Sequence, residues 1–490
     1  MATGSTATGL TAETVTIPGV AEPLSLRLPP EVWALRERAL AVQQEPQPGI
    51  PEITLADARA WAAHTPEEDW LLWRARRVAE RLRSLPVDLE PGERVVGKPR
   101  LRLPSEAEAQ ELARAQEILA TMPPFPGGDA GLFHPDYEKL FRLGVGGLIA
   151  CSSRPVRRRR AGARTEVDAR RGALGVTEEQ DTFYRACRIA LEGLADFIRR
   201  TAVASEGMAA EDPERETTWR ELAGICRRVA LEPPGTFREA IQLLFLAEIA
   251  LWFGEDHGLT TPGRLDQTLR PYYEADLGFG RITRQEAFEL LCCLYIQMNR
   301  ILWPGSAVSV LVGGRDRPGR DVTNELTYLC LAARQATRLV YPTVGLAWHA
   351  GTPGELMDFA VRMLASGVGD PAFFNDEVIS AGLRDHGVAP EDAHHYMNST
   401  CVEIKVVGAS NMWVTAPYFN LPQGLLEVME RVTKGDEAAP ATFEELQERV
   451  RGRLGETIRS AAEHLDRVWH ERSRTGWRSM TRRRLRRSPT

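Results

Sequence analysis

The chain has 490 residues, of which 43% are hydrophobic and 26% are charged, and this composition is typical of a globular protein with a sizeable core. The net charge of −6 argues against a nucleic-acid-binding protein. The seven cysteines are odd in number and include no C-x-x-C pair. They therefore indicate neither a disulfide framework nor a zinc site, and we expect reduced thiols in a cytoplasmic protein.

Residues 1–28 are predicted to be a flexible lead-in to the folded chain. The first residues, MATGSTATGLTAE, have neither the basic nor the apolar region of a signal peptide. The most apolar stretch, IQLLFLAEIALWF, is interrupted by Glu248 and is too short to span a bilayer. We therefore predict a core helix at this stretch and no contact with a membrane.

Helices are predicted over 29–125, where proline-rich joints separate them, and over 181–203 and 214–230. Thr236, Thr283 and Thr442 each stand three residues before a glutamate, and this spacing predicts capping boxes that begin helices. Pro353 is expected at the first position of another helix.

Strands and helices alternate from about residue 305 onwards. The apolar runs AVSVLVGG, TVGLAWHA and STCVEIKVV are typical of strands, and helical patterns follow the first two. This alternation predicts an α/β fold with mostly parallel strands. The last periodic segment, from Phe443 to Val468, is predicted to be a helix.

Two arginine-rich runs, RPVRRRR at 154–160 and RRRLRR at 482–487, do not fit these patterns. They are compatible with a basic patch for an anionic partner, with a solvated loop, or with a reading-frame error in GC-rich DNA. The rest of the chain has no nucleic-acid-binding motif, so we predict no nucleic-acid partner.

The stretch NSTCVEIKVVG, residues 398–408, contains the main candidate site. In an extended strand, alternate side chains share a face, so Cys401, Glu403 and Lys405 are expected to face a common cavity. The alternative is a buried cysteine that packs as a small apolar residue beside a solvated glutamate.

This stretch is similar to the active-site cysteine loop of the glycyl radical enzymes, the pyruvate formate-lyase-like superfamily. The family loop is commonly Gly-Cys-Val-Glu, and here Thr400 replaces the glycine. The resemblance extends to HPDYEKLFRLGVGGL, PPGTFREAIQLL, TPGRLDQTLRPYYEADL, VGGRDRPGRDVTNELTYLCLAA and GVGDPAFFNDEVI. It implies a pyruvate formate-lyase-like domain over 29–480, followed by an arginine-rich tail over 481–490.

The family fold is a ten-stranded α/β barrel, made of two antiparallel halves of five parallel strands and surrounded by helices. By resemblance, Cys401 forms a thiyl radical that takes hydrogen from a small polar substrate, and Glu403 transfers a proton. Pyruvate formate-lyase has two adjacent cysteines at this loop, so Thr400 disfavours pyruvate cleavage. A radical dehydratase or other eliminating lyase is expected, with a decarboxylase or a C–C lyase as alternatives.

Weaker candidates for substrate binding are Asp256, His257, Arg264 and Asn375, which lie in segments that resemble the family's pocket loops. A structural ion pair between Arg264 and Asp266 is the alternative for that arginine. The neighbours His394 and His395 have no third ligand at a suitable spacing, so we predict no metal site.

The resemblance also implies a glycyl radical, installed by a radical S-adenosylmethionine activase, and no tightly bound cofactor. No segment of this sequence resembles the family's glycine loop, so a glycyl radical domain is expected to be absent. The absence of this domain has three alternative explanations: a frameshift near Met480, a separate glycyl radical subunit, or a catalytically inactive pseudoenzyme that binds a ligand. The expected partners are the activase, that separate subunit and a second copy of the chain in a homodimer.

Overall fold

The protein was analysed as a computed structural model, which describes residues 14–44, 48–123, 134–152, 177–301, 306–409 and 420–474. Both arginine-rich runs lie outside the described residues. The chain divides into two compact units, one formed by Met1–Met122 with Ala130–Met412 and the other by Pro123–Asp129 with Trp413–Thr490.

The predicted flexible lead-in is wrong from Thr14 onwards. Strand β1 (Thr14–Val15) pairs antiparallel with β2 (Leu24–Ser25), and Val15 and Leu24 are both buried in the main hydrophobic core. The apolar side chains of this short hairpin gain more from burial than the chain loses on ordering, so the segment is part of the first unit.

The helices of the first unit follow in chain order as α1 (Pro30–Gln44), α2 (Pro51–Ala62), α3 (Trp70–Ser84), α4 (Glu106–Ala120), α5 (Tyr137–Cys151), α6 (Glu178–Glu211), α7 (Glu216–Val229), α8 (Phe237–Ile249), α9 (Leu265–Thr268), α10 (Arg270–Gly278), α11 (Arg284–Arg300), α12 (Glu325–Thr337), α13 (Gly354–Met363), α14 (Asp376–Asp385) and α15 (Pro390–Ala393). Thr283 forms the predicted capping box of α11. Thr236 caps α8, but the predicted box is not complete there, because Glu239 Oε2 accepts from the backbone N–H of Gly235 at 2.6 Å. Helix α13 begins one residue later than predicted, with Pro353 as its N-cap.

A parallel four-stranded sheet lies at the centre of the first unit. Its strands are β3 (Leu259–Arg264), β4 (Ala307–Gly313), β5 (Thr343–Trp348) and β6 (Ala372–Asn375), hydrogen-bonded in that order. All seven residues of β4 are buried, as is typical of a parallel strand that is covered on both faces. The predicted strands at β4 and β5, with the helices after them, are confirmed.

Strand β3 corrects the expectation that its residues form a loop. Proline cannot donate a ladder hydrogen bond, so Pro262 is an unusual residue within a strand. In the structure the pairing register shifts between Thr260 and Gly263, and Gly263 has a φ of +94°. This irregularity accommodates the proline within the strand.

A second pair of strands flanks the candidate cysteine. Strand β7 (Tyr396–Asn398) pairs antiparallel with β8 (Ile404–Val406), and β7 packs against β3 and β4. The α/β class is thus confirmed. The described residues contain the four-stranded sheet and the two-stranded pairs β1–β2 and β7–β8, so the ten-stranded barrel stays a prediction.

The second unit contains the helices α16 (Leu421–Lys434) and α17 (Phe443–Arg474). Thr442 caps α17, because its Oγ1 accepts from the backbone N–H of Glu445 at 3.2 Å. The predicted capping box is not complete, since Glu445 Oε2 accepts from the backbone N–H of Ala441 at 2.7 Å. Among the described residues, no helix is both long enough and apolar enough to cross a membrane.

Candidate functional site

The cysteine lies in the turn between β7 and β8, so the prediction that it occupies a strand is wrong. The backbone N–H of Ser399 donates to Glu403 O at 2.7 Å, and that of Val402 donates to Ser399 O at 3.2 Å. Val402 has a φ of +76°, a conformation that is unfavourable for a β-branched residue. The turn therefore stores local strain, which is common at functional sites.

One hydroxyl group connects the candidate thiol and carboxylate. Ser399 Oγ donates to Glu403 Oε2 and accepts from the backbone N–H of Cys401 at 3.4 Å. The thiol of Cys401 is exposed, and its Sγ lies 3.7 Å from Thr400 Oγ1. An accessible thiol and a positioned, half-buried carboxylate therefore share a single turn, although not one strand face. The alternative of a buried, packing cysteine is wrong.

The sequence predicted that Lys405 faces the interior, but it did not predict the buried polar residues of other elements beside this turn. Lys405 follows the turn on β8, and its side chain is 1% exposed. Glu248 on α8 is equally buried and accepts a hydrogen bond from the Tyr137 hydroxyl at its Oε1. Two signals were present in the sequence: the expected inward position of Lys405, and Glu248 within the apolar stretch IQLLFLAEIALWF. A buried carboxylate is unusual because buried charges need partners.

Burial shifts the protonation of these interior groups. It raises the pKa of Glu248 to about 7, which the charge of Lys405 opposes. Burial also lowers the pKa of Lys405 to about 8, against the attraction of Glu248 and Glu403. Both groups therefore titrate within reach of neutral pH.

His134 lies in the same interior region. One of its ring nitrogens is 2.7 Å from Thr261 O on β3. Burial, together with the positive charge of Lys405, lowers the pKa of His134 to about 4. The imidazole is therefore neutral at neutral pH, and it packs against Gly263, where a Cβ atom would come within 2.6 Å of His134 Cε1.

The predicted residues Asp256 and His257 precede β3. Asp256 is exposed, and its Oδ2 lies 3.7 Å from Arg77 and 3.5 Å from Arg81, both on α3. His257 is buried with its Nε2 4.0 Å from Glu255 Oε2, and burial lowers the pKa of its imidazole. Their roles in substrate binding stay predictions.

Arg264 is engaged by backbone carbonyls. Its guanidinium donates to Gly313 O at 2.6 Å, Arg315 O at 2.8 Å and His394 O at 3.0 Å, and the residue is 5% exposed. Asp266 accepts instead from Gly313 N–H at 2.9 Å and from the Thr327 hydroxyl at 2.6 Å. The contacts of Arg264 are those of a clamp between the ends of β3 and β4 and the segment before β7.

Asn375 caps α14, with its Oδ1 accepting from the N–H groups of Glu377 and Val378 at 3.1 Å each.

The adjacent residues His394 and His395 contact different acidic side chains. His394 Nδ1 lies 3.5 Å from Asp376 Oδ2, and His395 Nε2 lies 3.3 Å from Glu138 Oε1. Within the described ranges, no group of three or more potential ligands is arranged to hold a metal ion.

The fold and the turn together define an α/β protein that presents a thiol and a carboxylate beside the edge of a parallel sheet. A family profile described as pyruvate formate lyase-like matches residues 102–465. The chain therefore belongs to the pyruvate formate lyase-like family, and the resemblance noted in the sequence is confirmed.

Individual relatives support this assignment. The chain is 31% identical over 321 residues to the (2S)-3-sulfopropanediol dehydratase of Klebsiella oxytoca, an alignment that covers 62% of this chain and 37% of that protein. It is 28% identical over 284 residues to the trans-4-hydroxy-L-proline dehydratase of Clostridioides difficile, with 53% and 35% covered. The chain thus spans little more than a third of the length of these curated relatives.

A solved structure shares the fold. The B12-independent glycerol dehydratase from Clostridium butyricum, in its glycerol-bound form, superimposes with a TM-score of 0.74 at 20% identity. The superposition covers 90% of this chain and 64% of that one. At this identity the likeness concerns the fold.

Proposed function

We propose that this chain provides the thiol-bearing part of a glycyl radical lyase, which eliminates a leaving group from a small polar substrate. The observation that carries the proposal is the β7–β8 turn, where the Ser399 hydroxyl connects the Cys401 backbone with the Glu403 carboxylate. Family membership supports it, as do relatives that are named dehydratases and lyases.

In the proposed reaction, the hydrogen atom of the Cys401 thiol would pass to a glycyl radical that a radical S-adenosylmethionine activase has installed, and Cys401 would become a thiyl radical. The Cys401 thiyl then takes a hydrogen atom from a substrate C–H bond and becomes a thiol again. Glu403 accepts the proton of the hydroxyl on the resulting radical carbon, and the leaving group departs from the adjacent carbon with its bonding electrons. Cys401 finally returns a hydrogen atom to the product radical.

Glu403 is suited to proton transfer because Ser399 holds its carboxylate at a defined place in the turn. General acid–base assistance of this kind is worth roughly 10²–10⁴-fold in rate. The exposure of the Cys401 thiol leaves it open to a radical-bearing loop and to a substrate. We also propose that the chain interacts with this activase and forms a homodimer.

The test restores a radical-bearing glycine, by fusion to a relative's glycyl domain or by a separate glycyl protein, and activates it anaerobically. The substrates are chosen from the relatives: glycerol, 1,2-propanediol, trans-4-hydroxy-L-proline, (2S)-3-sulfopropanediol and isethionate. Elimination products are then measured by mass spectrometry, and the glycyl radical by electron paramagnetic resonance.

We expect Cys401→Ala to abolish turnover and to leave the glycyl radical signal intact, because the signal forms before the thiol reacts. Glu403→Gln should lower kcat by roughly 10²–10⁴-fold. The matched control is Cys187→Ala, which removes a half-buried thiol on α6 and should change neither readout. Substantial turnover by Cys401→Ala would contradict the proposal, and a radical signal without turnover of any substrate by the unsubstituted enzyme would favour a pseudoenzyme.

A further inference from the structure

A cleft of about 600 Å³ opens in the first unit between the helices α1, α7, α8, α10 and α11. Its lining includes no residue of β7, of β8 or of the turn between them, so it is not part of the candidate thiol site. Its volume is within the range of small-molecule sites, about 300–1,000 Å³. The cleft is therefore a candidate for a second binding site.

Glu93, in the wall of this cleft, has a carboxylate oxygen that lacks a donor. The side chain is 0% exposed, and its Oε1 accepts from Arg300 Nη1 at 2.7 Å. Its Oε2 is also buried, and no group in the described part of the chain donates a hydrogen bond to it. Since buried acceptors are normally satisfied, a ligand with an N–H group would complete the hydrogen bonding of Glu93.

The charges of the lining residues favour a cation. Six acids line the cleft: Glu31, Glu93, Glu221, Glu239, Asp276 and Glu286. Four arginines line it as well: Arg94, Arg215, Arg238 and Arg281. Six acids against four arginines leave two negative charges in excess, so the lining attracts a ligand with two positive charges.

The arginines do not provide a site for an anion, because each of them is already paired with a carboxylate. Arg94 pairs with Glu31 and Glu289, Arg215 with Asp212, Arg238 with Glu221, and Arg281 with Asp276. An anionic ligand would have to compete with these carboxylates and would meet the excess negative charge.

Apolar side chains complete the lining. Trp219 and Leu290 are buried, and Ile225 and Ile282 are half-buried. These residues can cover a hydrocarbon chain and remove it from water, which is favourable. Within the described ranges no group of three or more potential ligands is arranged to hold a metal ion, so an extended organic cation suits these dispersed acids.

From these features we propose that the cleft is a binding site for an aliphatic diamine. One ammonium group donates to Glu93 Oε2, and the second interacts with the more exposed acids Glu31 and Glu221, whose side chains are 37% and 55% exposed. The methylene chain lies along the apolar wall. This inference is independent of the proposed function, because the cleft contains no residue of the cysteine turn and binding needs no radical.

The test is isothermal titration calorimetry of the full chain, at neutral pH and low salt, without radical or substrate. The probe is 1,4-diaminobutane, with the uncharged 1,4-butanediol and the dianion succinate as ligands of the same chain length. We expect one diamine to bind per chain with a Kd below about 1 mM, and neither other ligand to bind at about 10 mM. The proposal is overturned if the diamine does not bind at about 10 mM, if butanediol binds equally well, or if succinate binds in its place.

Glu93→Gln tests the buried acceptor. The amide keeps the size of the side chain and removes its charge, so we expect the Kd of the diamine to rise by about tenfold or more, the effect of losing a hydrogen bond to a charged group. An unchanged Kd in the folded variant would overturn the proposal. Because Arg300 loses a buried partner in this variant, a second variant tests the cleft without a buried substitution.

That second variant combines Glu31→Gln with Glu221→Gln, which removes two exposed carboxylates and with them the excess negative charge. We again expect the Kd to rise by about tenfold or more. The matched control combines Glu192→Gln with Glu430→Gln, two exposed and ion-paired acids on α6 and α16, and should leave the Kd within about twofold. Equal weakening in the two double variants would show that the diamine responds to the net charge of the chain and not to the cleft, which overturns the proposal.

Discussion

Replacement of Arg264 by methionine separates a structural role from substrate binding. The guanidinium donates to carbonyls of residues 313, 315 and 394, and methionine replaces the apolar part of the arginine side chain while removing every donor. Each buried carbonyl that loses its partner costs about 1–3 kcal/mol. Since these loops can admit some water after the substitution, we expect a loss of about 3–5 kcal/mol in the free energy of unfolding.

The assay is urea unfolding of the full chain, followed by tryptophan fluorescence. The control is Arg317→Met, which removes an arginine that is 53% exposed at its side chain and pairs with Asp392 at 2.9 Å. An exposed pair of this kind contributes at most about 1 kcal/mol. If Arg264→Met unfolds at the same urea concentration as the control, the clamp is unnecessary and the reasoning is refuted. The predicted substrate-binding role of Arg264 would then regain support.

Three further predictions concern backbone, protonation and thiol chemistry. Gly263→Ala should lower the free energy of unfolding by about 2–4 kcal/mol, because the added Cβ would contact His134 and the residue has a positive φ. The control Gly207→Ala, at an open position in a helix, should raise the free energy of unfolding by up to about 1 kcal/mol. Equal effects of the two substitutions would contradict the packing at Gly263. Glu248 holds its proton to about pH 7 instead of the ordinary 4.5, so its stabilising contribution is complete below 4.5 and is lost as the pH rises through 7. Glu248→Gln should therefore gain stability relative to the unsubstituted chain across this interval, by about 2–3 kcal/mol, and a difference that is independent of pH would refute the assignment. Iodoacetamide should alkylate Cys401 first, because Cys401 is exposed, whereas burial raises the pKa of Cys226 to about 12. The modified residues are identified by mass spectrometry. Earlier modification of another cysteine within the described ranges would contradict the exposed turn.

The sequence by itself determined the features that depend on residues close together in the chain. The capping box at Thr283 was predictable because both of its hydrogen bonds join residues three positions apart. The strand β4 was predictable from an unbroken apolar run. The motif Cys401-Val402-Glu403, together with the other segments that resemble the family, indicated the family, which the matched profile confirms.

Only the tertiary structure decided how those local features meet. An alternating pattern around Cys401 suits a continuous strand and a short hairpin equally well, and the pairing of β7 with β8 selected the hairpin. Arg264 became a clamp because three distant carbonyls converge on it. Lys405 and Glu248 are far apart in the chain, and the packing of α8 and the β7–β8 hairpin with β3 brings them together. Contacts of this kind depend on which buried faces pack against each other, and this information is not contained in any single stretch of residues.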